Sequence, residues 1–461
     1  MLPALRENRV FRFTYAAATA TRILSGYKML SLRKNRMTPE QYDKRLRDHH
    51  RRSADRIFRG VISLRGLMIK IGQTIGSRPD VFPEEYASIL SRLQDQVPPH
   101  PWKEMKPHIE RELGRPIESF FSEFDPKPVA AASLAQVYKA KLKDGRQVAV
   151  KVVYPNSPRL VKTDLRILRG LIWLESRVSN YPLEPVYQEL AANVPLEVDM
   201  LHEAEAMRAI ASTLSHRDDV VIPGVIGQHT TKRILTMEYI DGIKITNIEG
   251  LRAAGIDTQK LFSLLVEVYM EQIMRHGHFH ADPHPGNLLG LPDNRLGLLD
   301  FGLTKRITDD FREAFKLTTR SMFTGDNDGL IEGMKAQGFK LKRDGDEAFI
   351  ASGEFFRAMA DPETYKDKEI VQAVNQAWAE AFKKNPLVEM PGDMTLAMRV
   401  FFLLFGLGAT VGGNLDLQGN NIPQIALKYA QEPATTVSPP ASASPSTRIG
   451  VAANASPSSV S

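Results

Sequence analysis

The sequence contains no cysteine among its 461 residues. Disulfide frameworks, zinc–thiolate sites, iron–sulfur clusters and thiol catalysis are therefore excluded. Long apolar runs are also missing, because the longest uncharged one covers only residues 400–411 (VFFLLFGLGATV), well short of the ~20 residues that cross a bilayer. We predict that this run forms a buried helix.

Acidic residues are scarce at the amino terminus. Residues 1–37 carry eight basic side chains and one acid, Glu7, whereas the remainder of the chain is close to neutral. The total formal charge of +6 is modest for this length and does not indicate a nucleic-acid partner. The segment lacks a compact apolar core followed by a small-residue cleavage site, so we predict that the protein is not secreted.

Two interpretations of this basic segment stay open. Its arginine-rich, acid-poor composition is typical of an organelle transit segment. It is equally typical of a basic amphipathic element that lies on an anionic membrane. Together they predict a protein of the cytoplasm or of the matrix side of an organelle, with peripheral membrane contact.

The rest of the chain divides by its hydrophobic patterns. Apolar side chains recur with a helical period over residues 51–75, and a second helix is predicted over residues 102–113, after a proline-rich break. Strands are predicted only from Val129 onward, and Asp144-Gly145 between two alternating runs predicts a β-hairpin. From Thr258 the pattern is mainly helical.

We therefore predict an α+β protein in which a small β-rich lobe precedes a larger helical lobe. The predicted units are a basic segment (1–50), a helical extension (51–126), the β-rich lobe (127–241), the helical lobe (242–432) and a Pro/Ser/Ala-rich tail (433–461). Because the tail has almost nothing to bury, we predict that it is disordered.

The second strand of the hairpin carries a lysine that could do chemistry. In Val148-Ala149-Val150-Lys151-Val152, alternation places Lys151 beside a small residue on one face of the strand. Such a lysine can reach nucleotide phosphates. Taken alone, the pattern favours an exposed strand lysine, because short Val/Lys patterns are common in antiparallel sheets.

A group of oxygen-bearing residues follows in a Pro-rich loop and after a short apolar strand. Asp282 and Asn287 lie five residues apart, and Asp300 begins an Asp-Phe-Gly sequence. Carboxylate and amide oxygens are the hard ligands that Mg²⁺ and a phosphoryl acceptor require. A transition-metal site is a weaker alternative, because the nearby histidines lack the helical spacing of such sites; they are His278, His280 and His284. We predict instead that His280 braces the loop.

These elements resemble the protein-kinase signature set. His-x-Asp-x4-Asn is followed thirteen residues later by Asp-Phe-Gly, and Val-Ala-Val-Lys stands upstream. The Gly-x-Gly-x-x-Gly loop is missing, since residues 128–137 read PVAAASLAQV. After Gly302 the sequence runs into a predicted helix over residues 308–323 with no Ala-Pro-Glu element, so a platform for a peptide substrate is not indicated.

Further motifs make the resemblance more specific. They are Lys-Ile-Gly-Gln at 70–73, Ser-Arg-Pro-Asp at 77–80, Leu-Gln-Asp-Gln-Val-Pro-Pro at 93–99, Glu-Val-Asp at 197–199 and His-Ala-Asp-Pro-His-Pro-Gly-Asn at 280–287. With the alanine-rich loop, they make the chain similar to the UbiB/ADCK family of atypical kinases from about residue 52 to residue 406. One departure is Tyr138, where the family form has His. The resemblance implies a bilobal kinase-like fold with the helical extension over its cleft.

The resemblance also implies roles for single residues, with ATP or ADP and Mg²⁺ as cofactors. Lys151 would hold the nucleotide phosphates and pair with Glu203, and Asp282 would be the catalytic carboxylate. Asn287 and Asp300 would bind Mg²⁺. The nucleotide would also contact a hinge and the alanine-rich loop, through Glu238, Ile240, Ala130, Ala131, Ala132 and Ser133.

A lid is implied as well. Lys70 and Gln73 lie three apart on one helical face, which by itself is typical of a solvated surface. The resemblance implies that Lys70 meets Glu197 and Asp199 where a peptide substrate would otherwise enter. Since these two acids point ~200° apart on an ideal helix, we hypothesise an irregular turn around Pro195.

Three functions are consistent with these features. The first is an ATP-binding, Mg²⁺-dependent atypical kinase or ATPase that acts on a small molecule or lipid in isoprenoid-quinone (ubiquinone) metabolism. The resemblance alone supplies the quinone link and quinone-biosynthesis enzymes as partners. The second is a serine/threonine protein kinase. The third is a nucleotide-gated scaffold at a membrane without turnover, against which stands the fact that all the required catalytic positions are filled.

Overall fold

The amino-terminal region is helical. The structure is a computed structural model that describes residues 7–76, 82–94, 97–175, 183–360, 367–411 and 422–432. Within these ranges the region contains α1 (Arg9–Arg33), α2 (Pro39–Leu64), α3 (Leu67–Gly76), α4 (Glu84–Leu90) and α5 (Trp102–Leu113). Both predicted helical stretches of the extension are confirmed. Arg65 and Gly66 separate α2 from α3 with φ of 57° and 62°, and the motif at 77–80 lies outside the described residues.

One basic residue of α1 lies inside the protein. The Arg12 side chain is 0% exposed, its Nε donates to Asp164 Oδ1 at 2.7 Å, and its Nη1 donates to the Leu64 carbonyl at 2.7 Å. Asp164 belongs to α6 (Ser157–Glu175). The basic segment is therefore held to the small lobe by a buried ion pair and to the extension by a hydrogen bond.

The small lobe is built on an antiparallel sheet. Its strands are β1 (Phe121–Phe124), β2 (Ala130–Ala131), β3 (Ala135–Leu142), β4 (Gln147–Val153) and β6 (Ile234–Glu238), in the order β1–β3–β4–β6 with β2 paired to β3. The predicted hairpin is confirmed, because β3 and β4 pair continuously around Gly145, whose φ is 92°.

The sheet begins earlier than the sequence predicts. Strands were expected only from Val129, but β1 pairs with β3 inside the segment that we assigned to the helical extension. This strand has four residues and an irregular register between Phe121 and Glu123. So short and interrupted a strand shows too little alternation to be distinguished from a loop.

Two further helices connect the sheet to the cleft. They are α7 (Leu183–Glu197) and α8 (Met200–Thr213), and α8 packs against β6. The irregular turn hypothesised around Pro195 lies elsewhere, because Pro195 is inside α7. The break comes after Glu197, where Asp199 has extended φ and ψ of −116° and 94° and its side chain caps α8 through the amide of Leu201.

The larger lobe is mainly helical, as predicted. Its helices are α9 (Ile248–Ala253), α10 (Thr258–Met270), α11 (Asp309–Thr324), α12 (Asn327–Gln337), α13 (Glu347–Ala360), α14 (Lys368–Lys384), α15 (Gly392–Val411) and α16 (Ile422–Gln431). Short strands accompany them: β5 (Val220–Val221), β7 (Ile243–Lys244), β8 (His278–His280), β9 (Leu288–Leu291), β10 (Arg295–Leu298), β11 (Thr304–Arg306), β12 (Lys340–Leu341) and β13 (Leu387–Glu389). The hairpin of β9 and β10 brings the Pro-rich loop beside the Asp-Phe-Gly sequence.

The longest apolar run of the sequence lies in α15. Val400, Leu404 and Leu407 are buried in the core that extends through both lobes, so the prediction of a buried helix is confirmed. None of the helices in the described part of the chain is long and apolar enough to span a membrane. The tail predicted to be disordered lies outside the described residues.

A buried carboxylate joins α16 to the rest of the lobe. Glu271 begins a π-helical turn after α10, pairs with Arg217 at 2.8 Å and His216 at 2.7 Å, and accepts a hydrogen bond from the hydroxyl of Tyr429 at 3.4 Å. Burial alone would raise the pKa of Glu271, but hydrogen bonds with His276 and Arg217 hold it well below its usual range. The carboxylate therefore stays ionised and keeps these partners together.

Candidate active site

A lysine and two carboxylates from three separate elements meet in the cleft. Lys151 Nζ on β4 lies 2.7 Å from Glu203 Oε1 on α8 and 2.9 Å from Asp300 Oδ2, which follows β10. The lysine is buried, because side chains on both faces of β4 are covered. The interpretation of Lys151 as an exposed strand lysine is therefore wrong, and its ammonium pairs with Glu203 and Asp300.

The three groups shift one another's protonation. Burial alone would lower the pKa of the Lys151 ammonium, but Asp300 and Glu203 together raise it. Burial raises the pKa of Glu203 to about 7 against the opposing effect of Lys151. Burial also acts to raise the pKa of Asp300, but the Lys151 ammonium lowers it overall. Near neutral pH, the cluster thus holds an ionised lysine beside an ionised Asp300.

Glu203 also fixes the Asp-Phe-Gly sequence. Its Oε1 accepts the amide N–H of Phe301 at 3.3 Å in addition to the lysine. Its Oε2 is buried and has no hydrogen-bond partner within the described residues. A buried carboxylate oxygen without a partner is costly, which is consistent with a position beside a site for a polar ligand.

Asn287 and Asp300 lie next to each other across the β9–β10 hairpin. The amide of Leu299 donates to the Asn287 carbonyl at 2.8 Å, which places Asp300 beside Asn287. Asp300 has a φ of 58° and its Oδ1 accepts the amide of Gly302 at 3.2 Å. A left-handed conformation at a residue other than glycine is a strained feature typical of functional sites.

The donors available at this point fit Mg²⁺. The side-chain amide Nδ2 of Asn287 points to the Asp282 carbonyl at 3.5 Å, which leaves its Oδ1 for a ligand. Within the described residues, no three His, Cys, Asp or Glu side chains form a group that could hold a metal ion. Mg²⁺ is commonly bound through one or two protein oxygens together with phosphate oxygens and water, which is the set that Asn287 and Asp300 could complete.

Within the described part of the chain, the three histidines near the site do not form a group that could hold a metal ion. His280 Nε2 lies 2.7 Å from the carbonyl of Asp300 and its Nδ1 lies 2.6 Å from the hydroxyl of Tyr269. Both ring nitrogens are therefore engaged, and the prediction that His280 braces the loop is confirmed. His284 Nδ1 accepts the amide of Gly286 within its own turn.

Asp282 pairs with an arginine in the cleft. Its Oδ1 lies 3.0 Å from Nη2 of Arg399, on α15. Burial alone would raise the pKa of Asp282, but Arg399 and Lys70 lower it. The predicted catalytic carboxylate is thus ionised and flanked by two cations that come from opposite ends of the sequence.

The lid forms with one acid of the two that were expected. Lys70 Nζ on α3 lies 2.7 Å from Glu197 Oε1 at the end of α7. Burial alone would lower the pKa of Lys70, but Glu197 and Asp282 raise it, so the ammonium lies near the catalytic loop. The extension is therefore over the cleft, as predicted.

The expectation that Lys70 also meets Asp199 is wrong. Asp199 caps α8 and lies 3.3 Å from Lys232 Nζ, because the break after Glu197 turns the two acids in different directions. Gln73 donates to the Leu93 carbonyl at 2.9 Å and thereby holds α3 against the segment after α4. Its contact is within the extension.

The segment predicted to be a hinge follows β6, and the alanine-rich loop includes β2. Glu238 ends β6, and its carboxylate accepts the amide of Gly224 at 2.9 Å. Within the described residues the amide of Ile240 has no hydrogen-bond partner. Ala130 and Ala131 form β2, Ser133 is buried, and the carbonyl of Ala132 accepts the hydroxyl of Tyr154 at 3.0 Å. The loop is thus tied to the sheet at several points.

Comparison with known proteins agrees with this geometry. The sequence profile of the ABC1 atypical kinase-like domain matches residues 92–334, more than half of the chain. The chain belongs to the ABC1, or UbiB/ADCK, family of atypical kinase-like proteins. The fold of the chain is similar to that of Rv3197 of Mycobacterium tuberculosis, solved in complex with erythromycin, which superposes with a TM-score of 0.56 at 23% identity over 84% of this chain and 97% of that one.

Curated relatives are similar to different parts of the chain. An uncharacterized protein of Synechocystis is 42% identical over 52% of this chain and 36% of its own length. AarF domain-containing protein kinase 1 of Mus musculus is 35% identical over 68% of this chain and 61% of its own length. Protein ACTIVITY OF BC1 COMPLEX KINASE 8, chloroplastic, of Arabidopsis thaliana is 32% identical over 81% of this chain and 53% of its own length. The chain thus spans from about a third to three-fifths of these relatives.

Sequence reasoning missed one member of this kinase-like site. Arg399 lies 117 residues after Asp282, inside an apolar helix that we interpreted only as core. No motif surrounds it. The available signal was a single charge at the edge of an otherwise apolar run, which is rarely placed there without a partner.

Proposed function

We propose that the protein is an ATP-binding, Mg²⁺-dependent atypical kinase or ATPase. The observation that carries this proposal is the meeting of Lys151, Glu203 and Asp300, with Asn287 and Asp282 on the adjoining loop. Phosphoryl transfer depends mainly on positioning and charge neutralisation. When bound, Mg²⁺ would neutralise charge on the phosphates next to Asn287 and Asp300, and Lys151 would hold the phosphates from the other side.

The nucleotide, ATP or ADP, would lie between the sheet and the hairpin. The unpartnered amide of Ile240 and the backbone of Glu238 would meet the edge of the adenine. Ala130 to Ser133 would cover the phosphates, and Ala149 beside Lys151 leaves room for a flat base. Asp282 would receive the proton of an acceptor hydroxyl.

We propose a small molecule or lipid as acceptor, in support of isoprenoid-quinone metabolism. Two features support a small acceptor: Lys70 on the extension lies over the cleft near Asp282, and β11 leads directly into α11 with no Ala-Pro-Glu element. The quinone link and quinone-biosynthesis enzymes as partners rest on membership of the family. Peripheral membrane contact is supported by exposed Val10, Phe13 and Leu32 on the basic helix α1.

Incubation of the protein with γ-labelled ATP and Mg²⁺ tests the proposal against its alternatives. We expect release of labelled phosphate, or its transfer to small molecules in a lipid extract, with little transfer to generic protein substrates. Strong transfer to proteins would favour a serine/threonine kinase instead. If Asp282→Asn and Asp300→Asn both lose turnover yet restore growth or quinone levels in cells, a nucleotide-gated scaffold is the better description.

Replacing Ala131 with Gly should change nucleotide affinity. Alanine bars positive φ in the covering loop, and its conformational free energy differs from that of glycine by roughly 0.5–1 kcal/mol per position. A free-energy difference of this size corresponds to about a two- to fivefold change in the Kd of the nucleotide. Calorimetric titration of ATP and ADP measures the change, and Ala18→Gly on the exposed face of α1 is a matched control. Equal binding of both nucleotides by Ala131→Gly and the parent would rule out this role for the loop.

A further inference from the structure

Among the described residues, Arg399 is the side chain that holds the Asp282 carboxylate through a hydrogen bond. Within the described residues, no other side chain makes a hydrogen bond to the carboxylate of Asp282, and the contact joins Arg399 Nη2 to Oδ1 at 3.0 Å. The two side chains are 30% and 24% exposed. This contact is therefore made at the wall of the cleft, where solvent reaches only part of each group.

The helix that carries Arg399 is held firmly. Val400, which follows Arg399 directly, is 0% exposed, and Leu404 and Leu407 are 4% and 3% exposed. Near the start of α15, Asp393 pairs with Lys305 of β11 at 2.7 Å. Arg399 thus extends into the cleft from a helix whose other side is packed in the core and whose first turn is held by an ion pair.

The other cation beside Asp282 has a different partner. Lys70 is hydrogen-bonded to Glu197 at 2.7 Å, so its effect on Asp282 is that of a nearby charge. A carboxylate turns with little resistance about its last side-chain torsion, since that torsion is broad. The single contact to Oδ1 therefore decides which way the second oxygen, Oδ2, points.

We propose that Arg399 is a positioning residue, which orients the Asp282 carboxylate so that Oδ2 faces the hydroxyl of the phosphoryl acceptor. The inference rests on the proposed function, because it gives Asp282 the role of the catalytic carboxylate. Arg399 touches neither Lys151, Glu203 nor Asp300 through any described hydrogen bond. Arg399 should therefore affect the rate of the chemical step, whereas nucleotide binding depends on the cluster of Lys151, Glu203 and Asp300.

Kinetics of Arg399→Ala and Arg399→Lys test the proposal. We expect kcat to fall by about 10- to 100-fold in Arg399→Ala, as misplacement of reacting groups does, with the Kd for Mg–ATP unchanged within about twofold. Arg399→Lys should recover only part of the rate, because an ammonium lacks the planar fork of a guanidinium. Added guanidinium ion should raise the rate of Arg399→Ala but not that of the parent.

A double-mutant cycle separates positioning from a general structural effect. In the Asp282→Asn background, Arg399→Ala should cause no further loss of kcat. Arg357→Ala is the matched control, because Arg357 also joins two helices, through the Met322 carbonyl at 2.9 Å, and it should keep the parental kcat. Parental kcat in Arg399→Ala, or an equal loss of kcat and of Mg–ATP affinity, would overturn the proposal.

Crystal structures of the parent and Arg399→Ala provide a test that does not depend on turnover. We expect the Asp282 carboxylate to rotate or to become mobile when the guanidinium is removed. If it keeps the parental rotamer, Arg399 does not position it. A parent that neither binds nor hydrolyses nucleotide would instead refute the proposed function, whatever the rotamer shows.

Discussion

Asp300→Asn should reduce Mg²⁺-dependent ATP turnover by about 10²- to 10³-fold, which is typical of removing one preorganised charge from an active site. The substitution leaves the shape of the side chain but removes the charge that faces Lys151 at 2.9 Å and would face the metal. We expect nucleotide binding to lose its dependence on Mg²⁺ as well, because Asn is a weaker ligand for a hard cation than a carboxylate.

The measurement is a titration of ATP with and without Mg²⁺, combined with steady-state phosphate release. Asp293→Asn is a matched control, since Asp293 is exposed in the turn between β9 and β10 and has a φ of 61° that Asn tolerates. It should behave as the parent does. Full Mg²⁺-dependent turnover in Asp300→Asn would contradict the assignment of Asp300 as a metal ligand.

Arg12→Ala should lower the free energy of unfolding by about 3–5 kcal/mol, the usual cost of leaving one partner of a buried ion pair uncompensated. Arg12 and Asp164 are both 0% exposed. Removal of the guanidinium also leaves the Leu64 carbonyl without the donor that lies 2.7 Å away. We expect α1 to detach from α6 before the rest of the protein unfolds.

Urea unfolding followed by circular dichroism measures this effect, and hydrogen exchange of α1 locates it. Arg22→Ala, on the exposed side of the same helix, is the control and should stay within about 0.5 kcal/mol of the parent. Replacement of the pair by Met and Leu, Arg12→Met with Asp164→Leu, should recover most of the stability. Parental stability in Arg12→Ala would mean that α1 is not docked in this way in solution.

The sequence allowed the local elements and the cleft to be predicted well. The hairpin was marked by Asp144-Gly145, and the helices by their periodicity, because these signals act between near neighbours in the chain. The meeting of Lys151 with Asp300 was predictable because two spaced motifs stand in a fixed order that a known fold explains. Motif order therefore supplied the long-range information that periodicity lacks.

What could not be predicted depends on contacts between distant segments. The interior position of Arg12 is decided by Asp164, 152 residues away, and a basic run gives no sign of it. The turn of Asp199 away from Lys70 depends on where α7 ends. The proline at 195 suggested an earlier break, but α7 continues through it to Glu197. The role of Arg399 was hidden because its neighbours in the sequence all indicate a core helix.

Glu203 links helix α8 to two other elements of the cleft. One oxygen, Oε1, accepts both the Lys151 ammonium at 2.7 Å and the Phe301 amide at 3.3 Å. A shift of α8 by one or two ångströms would lengthen both bonds beyond hydrogen-bonding distance together. Lys151 also pairs directly with Asp300 at 2.9 Å, so strand β4 and the loop after β10 stay joined when α8 withdraws, and α8 engages or leaves both of them at once.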